Sequence, residues 1–266
     1  MLIQFDTDKI VNYLQKHKSN LSTLYKWEVK TKIISKLKEL IVEELEIADS
    51  LNRYEKELKL KKIVGKKLNE ALESKSELFD QLCLWIIKDW GGITSTNDKE
   101  TMKLVNNFLS HENPSFNRIA STSKVGSFLY PNRNIIYDSR VAYSLNWIIL
   151  SENAGQYFFP IPEGRNSKMS AFDLNVLIRL KNISNYHTQN IEHLDHKLYI
   201  NNADKKIFIN KNKAYSELNN LIKIINEKLW KGDKEKEQNL YYTEMLLFSI
   251  ADREIFLDIT TQYGIK

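Results

Sequence analysis

The chain has 266 residues, which is the length of one large domain or two small ones. It has only 8 glycines and 4 prolines, so tight turns are scarce and a β-barrel or β-sandwich is disfavoured. The net charge of +5 is compatible with a polyanionic partner but too small for a basic tail protein. The single cysteine, Cys83, excludes an internal disulfide and a four-cysteine metal site, which fits a reducing compartment.

The sequence gives no sign of membrane insertion or secretion. No segment reaches about 18 apolar residues without a charge. Residues 1–8 lack the basic and apolar regions of a signal peptide. We therefore expect a cytoplasmic protein without a membrane partner.

The first half of the chain predicts helices. Residues 27–89 contain one glycine and no proline, and their apolar residues recur at helical spacing, which predicts two or three helices. The apolar run 82–87 predicts a buried helix that ends at the pair Gly91-Gly92. Another helix is expected over residues 101–110, before Asn113-Pro114 breaks it.

The middle of the chain has the clearest local pattern. A helix capped by Ser121 or Thr122 is ended by Pro131. After a turn, a short extended stretch at 135–137 leads to a second helix, which Asp138 caps. The apolar residues of this second helix predict one buried face: Val141, Ala142, Leu145, Ile148 and Ile149.

The last part of the chain predicts a loop followed by closing helices. Residues 157–167 cannot form a regular helix because two prolines and a glycine fall close together. Residues 197–200 and 207–209 are compatible with a small β-hairpin. We therefore expect a mainly α fold with at most a small β-hairpin. The remaining amphipathic segments predict helices at 170–180, 214–230 and 241–255.

Lys124 and Asp138 form the first candidate site. If both helices form as predicted, Lys124 lies in the first turn of one helix and Asp138 caps the next, so both face the turn between them. The positive end of a helix favours the carboxylate and disfavours the ammonium, which would help to supply an amine nucleophile. This pair suits chemistry at a carbon that becomes cationic, such as C1′ of a nucleoside losing its base. On spacing alone, an ordinary N-cap and a surface lysine are the simpler interpretation.

The string around this pair resembles a known family. It comprises Arg118-Ile119-Ala120-Ser121-Thr122-Ser123-Lys124-Val125-Gly126-Ser127-Phe128, then Pro131, then Ile135-Ile136-Tyr137-Asp138-Ser139-Arg140-Val141-Ala142. It resembles the core of helix-hairpin-helix DNA glycosylases of the 8-oxoguanine DNA glycosylase fold. In them a Thr-Lys-Val/Ala segment opens one helix and an apolar-apolar-x-Asp-x-x-Val segment opens the next. The resemblance covers about 30 of the 266 residues and is closest to small bacterial proteins of this fold, a group that includes antiviral enzymes.

This resemblance implies a fold, a reaction and roles for two residues. The fold would be a single compact domain over residues 1–266, with helical lobes at roughly 1–110 and 111–266 and a cleft between them. Lys124 falls at the position of the Schiff-base lysine, and Asp138 at that of the aspartate that stabilises the sugar cation. The implied activity is excision of a flipped, damaged or hypermodified base from double-stranded DNA, by a monomer without a cofactor. The product would be an abasic site, or a cleaved strand if the lysine attacks.

The chain departs from the family pattern in two ways. The family's Leu-Pro-Gly-Val-Gly hairpin holds a DNA phosphate through glycine N–H groups, and residues 117–123, which stand in its place, contain no glycine. Lys124 and Asp138 are 14 residues apart, closer than in the familiar enzymes. Phosphate contacts would therefore come from Arg118, from hydroxyl groups and from the helix N-terminus.

Loop residues are candidates for further DNA contacts. Arg165-Asn166-Ser167 follows a glycine, and Arg133 lies in the turn between the two helices. Arg140 could face DNA or pair with a carboxylate such as Glu163. An ordinary surface charge is the alternative for each arginine.

Aromatic side chains on or beside loops are candidates to stack on a flipped base. They are Trp90, Tyr137, Tyr157, Phe158 and Phe159. Burial in the core is the alternative for each of them. Trp85, Trp147 and Phe248 are expected in the core.

No metal or cofactor site is predicted. His193 and His196 could share a helix face, but no third ligand follows at a fixed spacing, so a polar surface segment is favoured. P-loop, Rossmann and serine-hydrolase motifs are absent from the sequence.

Two other classes of function stay open. One is a non-catalytic nucleic-acid-binding module, which would use Lys124, Arg118 and Arg165 only for phosphates. The other is a structural partner protein encoded in a bacterial defence or toxin operon.

Overall fold

The structure is a computed structural model that describes residues 3–41, 47, 50–162, 172–181 and 207–264. Within these residues the chain forms thirteen α-helices, and a π-helix (Trp85–Trp90) continues α5 directly. The α-helices are α1 (Thr7–Lys18), α2 (Leu21–Leu24), α3 (Thr31–Ile41), α4 (Arg53–Glu73), α5 (Leu78–Leu84), α6 (Asp98–Leu109), α7 (Ile119–Leu129), α8 (Ser139–Ser151), α9 (Leu174–Lys181), α10 (Lys211–Leu229), α11 (Lys234–Gln238), α12 (Tyr241–Ile250) and α13 (Glu254–Gln262). The predicted mainly α fold is confirmed, and the two-lobed glycosylase arrangement remains a prediction.

β-type pairing in the described residues is limited to one parallel bridge between Phe158 and Phe208. Phe158 N donates to Ile207 O and Ile209 N donates to Phe158 O, each at 2.9 Å. The predicted hairpin has its first arm, 197–200, outside the described residues. Its second arm pairs with the loop after α8.

Buried apolar side chains form two clusters. The first cluster is built mainly by α1, α8, α10 and α12, and the second by α3, α4, α5, the π-helix and α6. α7 joins the two, since Ile119 belongs to the first cluster while Val125 and Phe128 belong to the second. α1 packs against α10 and α12, so the first helix of the chain contacts two helices near its other end.

The start of α7 differs from the prediction. Its N-cap is Arg118, in a left-handed conformation with φ 57°, so Ser121 and Thr122 lie inside the helix and do not cap it. The Thr122 hydroxyl donates back to Arg118 O at 3.4 Å and does not accept a helix N–H. Lys124 is therefore in the second turn of α7, and the prediction of a first-turn position was wrong.

α8 is buried more completely than one apolar face requires. Every residue from 141 to 150 is buried, because α1, α9 and α12 pack around the helix. The predicted closing helix at 241–255 is also wrong in extent, since a turn at 251–253 separates α12 from α13. No helix in the described ranges has the length and apolar character needed to cross a membrane.

Candidate functional site

A cavity of about 970 Å³ is lined by residues of both apolar clusters, among them Met245 of the first and Trp90 of the second. This volume is in the range of small-molecule sites. Among the described residues on its wall, five cations outnumber two carboxylates, which favours an anionic ligand. These charged residues are Lys61, Arg118, Lys124, Arg140, Lys211, Asp138 and Glu244.

Lys124 and Asp138 both line this cavity. Asp138 caps α8 as predicted, and its Oδ1 accepts the Arg140 N–H at 2.8 Å. Lys124 is only 8% exposed, and its Nζ donates to Ala120 O at 3.0 Å. Two consecutive long helices thus bring a buried amine and a half-buried carboxylate to one wall.

The extended stretch 135–137 fixes the position of Asp138. Its three backbone N–H groups are buried, and each donates to a side chain at 2.9 Å. The acceptors are Asn219 Oδ1 for Ile135, Glu244 Oε2 for Ile136 and Ser123 Oγ for Tyr137. A buried stretch outside a helix must find such partners, so α10, α12 and α7 together define where α8 begins.

A glycine makes room for the Lys124 side chain. Gly91 follows the π-helix, and a Cβ built there would lie 2.8 Å from Lys124 Cε and 2.8 Å from Ile87 O. Both distances are shorter than any ordinary carbon contact. Gly91 therefore lets the lysine stem pass against the end of the π-helix, an element that often marks functional sites.

Sequence reasoning missed a buried ion pair beside these residues. Lys61 and Glu57 on α4 are 5% and 1% exposed, and Lys61 Nζ lies 3.9 Å from Glu57 Oε1. Glu57 Oε2 accepts the Trp90 Nε1–H at 3.2 Å. The spacing does indicate burial of these two residues, because positions 57 and 61 fall on the same face of α4 as buried Val64 and Leu68. A Glu and a Lys four residues apart are more typical of a solvated face.

Glu244 is the second residue that sequence reasoning missed. It is buried on α12, its Oε2 accepts the Ile136 N–H, and the Ser127 hydroxyl donates to the same oxygen at 3.4 Å. It also lines the cavity with Lys124. Nothing local marks this glutamate, because its partners lie more than 100 residues earlier in the chain.

Burial shifts the pKa of the bases and acids of this site in opposite directions. Desolvation lowers the pKa of Lys124 below its ordinary value of 10.5, against the opposing charges of Asp138 and Glu244. Desolvation raises the pKa of Glu244 and that of Glu57, and the Lys61 charge opposes both shifts. Lys124 therefore gives up its proton more readily than an exposed lysine.

Three of the cations on the cavity wall are at least partly exposed. Arg118 and Lys211 are exposed, and Arg118 Nη1 donates to Ser95 Oγ at 3.2 Å. Arg140 lies over the Phe248 ring at 4.7 Å, and its Nη2 is 3.4 Å from Asp252 Oδ2. The carboxylate partner of Arg140 is therefore Asp252. The suggested partner Glu163 lies outside the described residues.

The other predicted DNA contacts are not brought to the cavity. Arg133 is exposed but does not line the cavity, and its guanidinium stacks on the Tyr130 ring at 4.0 Å. Arg165, Asn166 and Ser167 lie outside the described residues.

Of the five aromatic residues predicted for a base pocket, Trp90 lines the cavity. The other four do not line it and pack in or against the first cluster: Tyr137, Tyr157, Phe158 and Phe159. The base-pocket prediction for these four is therefore not supported by their placement. For the loop after α8, Asn146 holds the backbone against the core, since it accepts the Phe159 N–H at 2.7 Å and donates to Phe159 O at 2.8 Å.

Other aromatic residues line the cavity together with Trp90. Trp27 packs edge-on against Trp90 and Phe248, with ring centroids 6.3 and 6.4 Å apart, and all three line the cavity. The prediction that Phe248 is a core residue was wrong, since it is half-buried at the wall. Trp85 and Trp147 are buried in the core as predicted.

No protein-family model, curated protein or solved structure matches the chain. The resemblance to helix-hairpin-helix glycosylases therefore rests on the quoted string of residues around Lys124 and Asp138.

Metal-binding side chains do not cluster in the part of the chain that the structure describes, where no three His, Cys, Asp or Glu residues come together. His193 and His196 lie outside that part.

Proposed function

We propose that this protein is a DNA glycosylase, which takes a flipped, damaged or modified base into the cavity and breaks its bond to the sugar. The observation that carries the proposal is the placement of Lys124 and Asp138 on the wall of one cavity. They come from different helices, and the residues between them are fixed by buried hydrogen bonds. This arrangement is more than a surface lysine and an ordinary N-cap require.

Asp138 acts on the sugar. As the C1′–N bond lengthens, its electron pair leaves with the base and C1′ becomes cationic. A carboxylate held in advance beside C1′ stabilises this charge without reorganising as the reaction proceeds. The N-cap hydrogen bond from Arg140 N restrains Oδ1.

A nucleophile then adds to C1′. If water attacks, its hydroxyl bonds to C1′, its proton goes to the departing base, and the product is an abasic site. If Lys124 attacks, its neutral amine bonds to C1′ and loses a proton, which goes to the departing base. The sugar ring then opens to form a Schiff base, which allows strand cleavage. The lowered pKa of Lys124 supports the second route.

The surroundings of the cavity suit a nucleic acid. Arg118 and Lys211 are exposed cations on the wall and can donate hydrogen bonds to phosphate oxygens. Trp27, Trp90 and Phe248 offer aromatic surface to a base. Stacking of this kind is worth about 1–3 kcal/mol per base.

The decisive experiment is base excision by the Asp138→Asn variant, measured on duplexes that each carry one damaged or modified base. We expect excision to fall by about a hundredfold or more while duplex binding is kept, because the amide keeps the shape of the cap and loses the charge. The matched control is Asp233→Asn, which changes another half-buried N-cap aspartate, on α11, that does not line the cavity.

Two results would contradict the proposal. Full excision by Asp138→Asn would remove Asp138 from the mechanism. Tight duplex binding without excision of any base by the unaltered protein would favour the non-catalytic nucleic-acid-binding module.

A further inference from the structure

We infer that Lys61 is a positioning residue for Lys124: it is a second buried cation on the same Trp90 ring, and it disfavours a proton on the amine that would attack the sugar. The inference rests on the proposed function and names the residue that prepares its nucleophile. Lys61 acts without touching the substrate, because its Nζ is enclosed by protein and hidden from solvent.

One indole ring lies close to both ammonium groups. Lys61 Nζ is 5.3 Å from the ring centroid of Trp90, and Lys124 Nζ is 5.9 Å from the same centroid. The two nitrogens are therefore at most about 11 Å apart, the sum of these distances. Lys61 and Lys124 are only 5% and 8% exposed, so solvent screens the repulsion between their charges poorly. A positive charge on one of them disfavours a positive charge on the other.

The surroundings favour the charge on Lys61 over a charge on Lys124. Lys61 Nζ has Glu57 Oε1 at 3.9 Å. It also lies 4.8 Å from the ring centroid of Phe128 and 5.5 Å from that of Tyr241. A carboxylate and aromatic faces both stabilise an ammonium. In the described part of the chain, Lys124 Nζ has no carboxylate oxygen within 4.0 Å and donates to a backbone carbonyl.

Glu57 holds the ring and the cation in place together. Its Oε2 accepts the Trp90 Nε1–H at 3.2 Å, while its Oε1 faces Lys61. Trp90 ends the π-helix, and Gly91 directly after it leaves room for the Lys124 stem. α4, the π-helix and α7 thus fix the two amines relative to each other.

The other charged groups near Lys124 either favour its ammonium or pair elsewhere. Asp138 of α8 and Glu244 of α12 favour the ammonium, whereas burial and the Lys61 charge lower the pKa of Lys124. α6 buries only uncharged side chains. The remaining charges on the π-helix and at the start of α8 form ion pairs of their own: Lys88 with Asp98, Asp89 with Lys36 and Arg140 with Asp252. Burial raises the pKa of Tyr241 to about 12, so its phenol is neutral where Lys124 titrates.

The test removes the Lys61 charge in two ways. The first variant, Lys61→Met with Glu57→Gln, removes both buried charges and leaves an amide oxygen for Trp90 Nε1. The second, Lys61→Gln, keeps Glu57 and offers it an amide N–H. Lys61→Met alone would strand the Glu57 charge and endanger folding. The control is Lys66→Met, which removes the same charge from α4 at a side chain that is 74% exposed.

The pH at which Lys124 loses its proton is measured by NMR on protein with ¹³C-labelled lysine, in which Lys124→Gln identifies the Cε signal. We expect a midpoint below 10.5 in the unaltered protein. In both charge-removing variants it should lie about half to one pH unit higher, the size expected for two buried charges at this separation. Lys66→Met should leave the midpoint unchanged.

Adduct formation separates the charge effect from a loss of structure. On a duplex with a preformed abasic site, the amine condenses with the C1′ aldehyde, water leaves, and hydride from sodium cyanoborohydride reduces the imine. Both variants should reach the full adduct yield at high pH. Near neutral pH they should react about threefold to tenfold more slowly, because less of the amine is neutral.

An unchanged midpoint in either folded variant, or a loss of adduct at every pH without a shift of the midpoint, would overturn the inference. These outcomes are separate from the fate of the proposed function, because the midpoint is measured without DNA. If the midpoint rises in both variants but no base is ever excised, the effect of Lys61 on Lys124 stands and the glycosylase proposal fails. If bases are excised while the midpoint does not move, only the inference fails.

Discussion

The charge state of Lys124 reflects a balance between burial and two carboxylates. Burial lowers its pKa below 10.5, whereas Asp138 and Glu244 stabilise the ammonium and raise the pKa. Only the neutral amine can attack a carbon, so the balance sets the pH at which Lys124 becomes a nucleophile.

We therefore expect pH-dependent trapping of Lys124 on a duplex that carries a preformed abasic site. Sodium cyanoborohydride reduces the Schiff base to a stable protein–DNA adduct, and its yield should rise with pH through a midpoint below 10.5. Asp138→Asn removes a charge that favours the ammonium, so the pKa should fall further and the midpoint should move to lower pH. Adduct is measured by denaturing gels across the pH range, with Lys124→Gln as the control that gives none.

Adduct formation by Lys124→Gln would assign the amine to another residue. An unchanged midpoint in Asp138→Asn would show that the two side chains do not interact in solution. If the unaltered protein excises a base but gives no adduct, water is the nucleophile and Asp138 alone carries the reaction.

Single residues differed in how well the sequence predicted them. The Asp138 cap was predictable because its signal is local: a short acidic side chain stands directly before a helical apolar pattern. Glu57 and Lys61 were not predicted because their spacing is also that of a solvated pair, and burial depends on which helices cover them. The placement of Glu244 could not be predicted from the sequence, since it depends on contacts with a distant segment.

At the scale of elements, the close packing of α4 on α7 brings Lys61 to the site. Gly65 on α4 permits it, because a Cβ there would lie 2.7 Å from Phe128 O on α7. Asn69 Nδ2 reinforces the contact by donating to Leu129 O at 3.2 Å.

We expect Gly65→Ala to destabilise the fold by about 1–3 kcal/mol, because the added methyl group overpacks a backbone contact. Helix propensity alone predicts the opposite effect, an increase of about 1 kcal/mol in the free energy of unfolding. Denaturant unfolding measures the difference, and Lys66→Ala on the exposed side of α4 should stay within about 0.5 kcal/mol of the unaltered protein. A more stable Gly65→Ala protein would show that α4 and α7 are not in close contact.

The existence of helices was predictable from periodicity, but their ends and burial were not. Ser121 and Thr122 suit an N-cap by composition, yet Arg118 takes that position and the hydroxyls bond inside α7. α8 carries its apolar pattern on one face, yet neighbours cover its polar residues as well. Buried Asn146 shows why, because it is used to hold the Phe159 backbone.

For the whole molecule, the distribution of cations around the cavity predicts how it binds DNA. We expect Arg118→Ala to weaken binding to duplexes of any sequence. The slope of log binding constant against log salt concentration should become shallower by about one unit, because one phosphate contact is lost. Arg133→Ala is the matched control, because Arg133 is an exposed arginine of the same region that does not line the cavity. Titrations at several salt concentrations give both slopes. Equal slopes for the two variants would place the DNA-binding surface elsewhere.

The overall packing is the part of the fold that the sequence could not predict. α1 lies against α10, and Lys228 Nζ bonds to Asp8 Oδ1 at 2.8 Å across 220 residues of sequence. Hydrophobic periodicity shows that each helix has an apolar face, but it does not say which distant face will cover it. The division into lobes near residue 110 remains a prediction.

The three acceptors that hold the stretch 135–137 also determine which fragments of this protein could keep the conformation of the site. Two of them, Asn219 and Glu244, belong to α10 and α12, far beyond the string that resembles a glycosylase core. A fragment cut after residue 162 would keep Lys124, Asp138 and every residue of that string, but it would lose the partners of two buried N–H groups. The string alone therefore cannot keep its own conformation. Transferring it into another helical protein would require those two distant side chains as well.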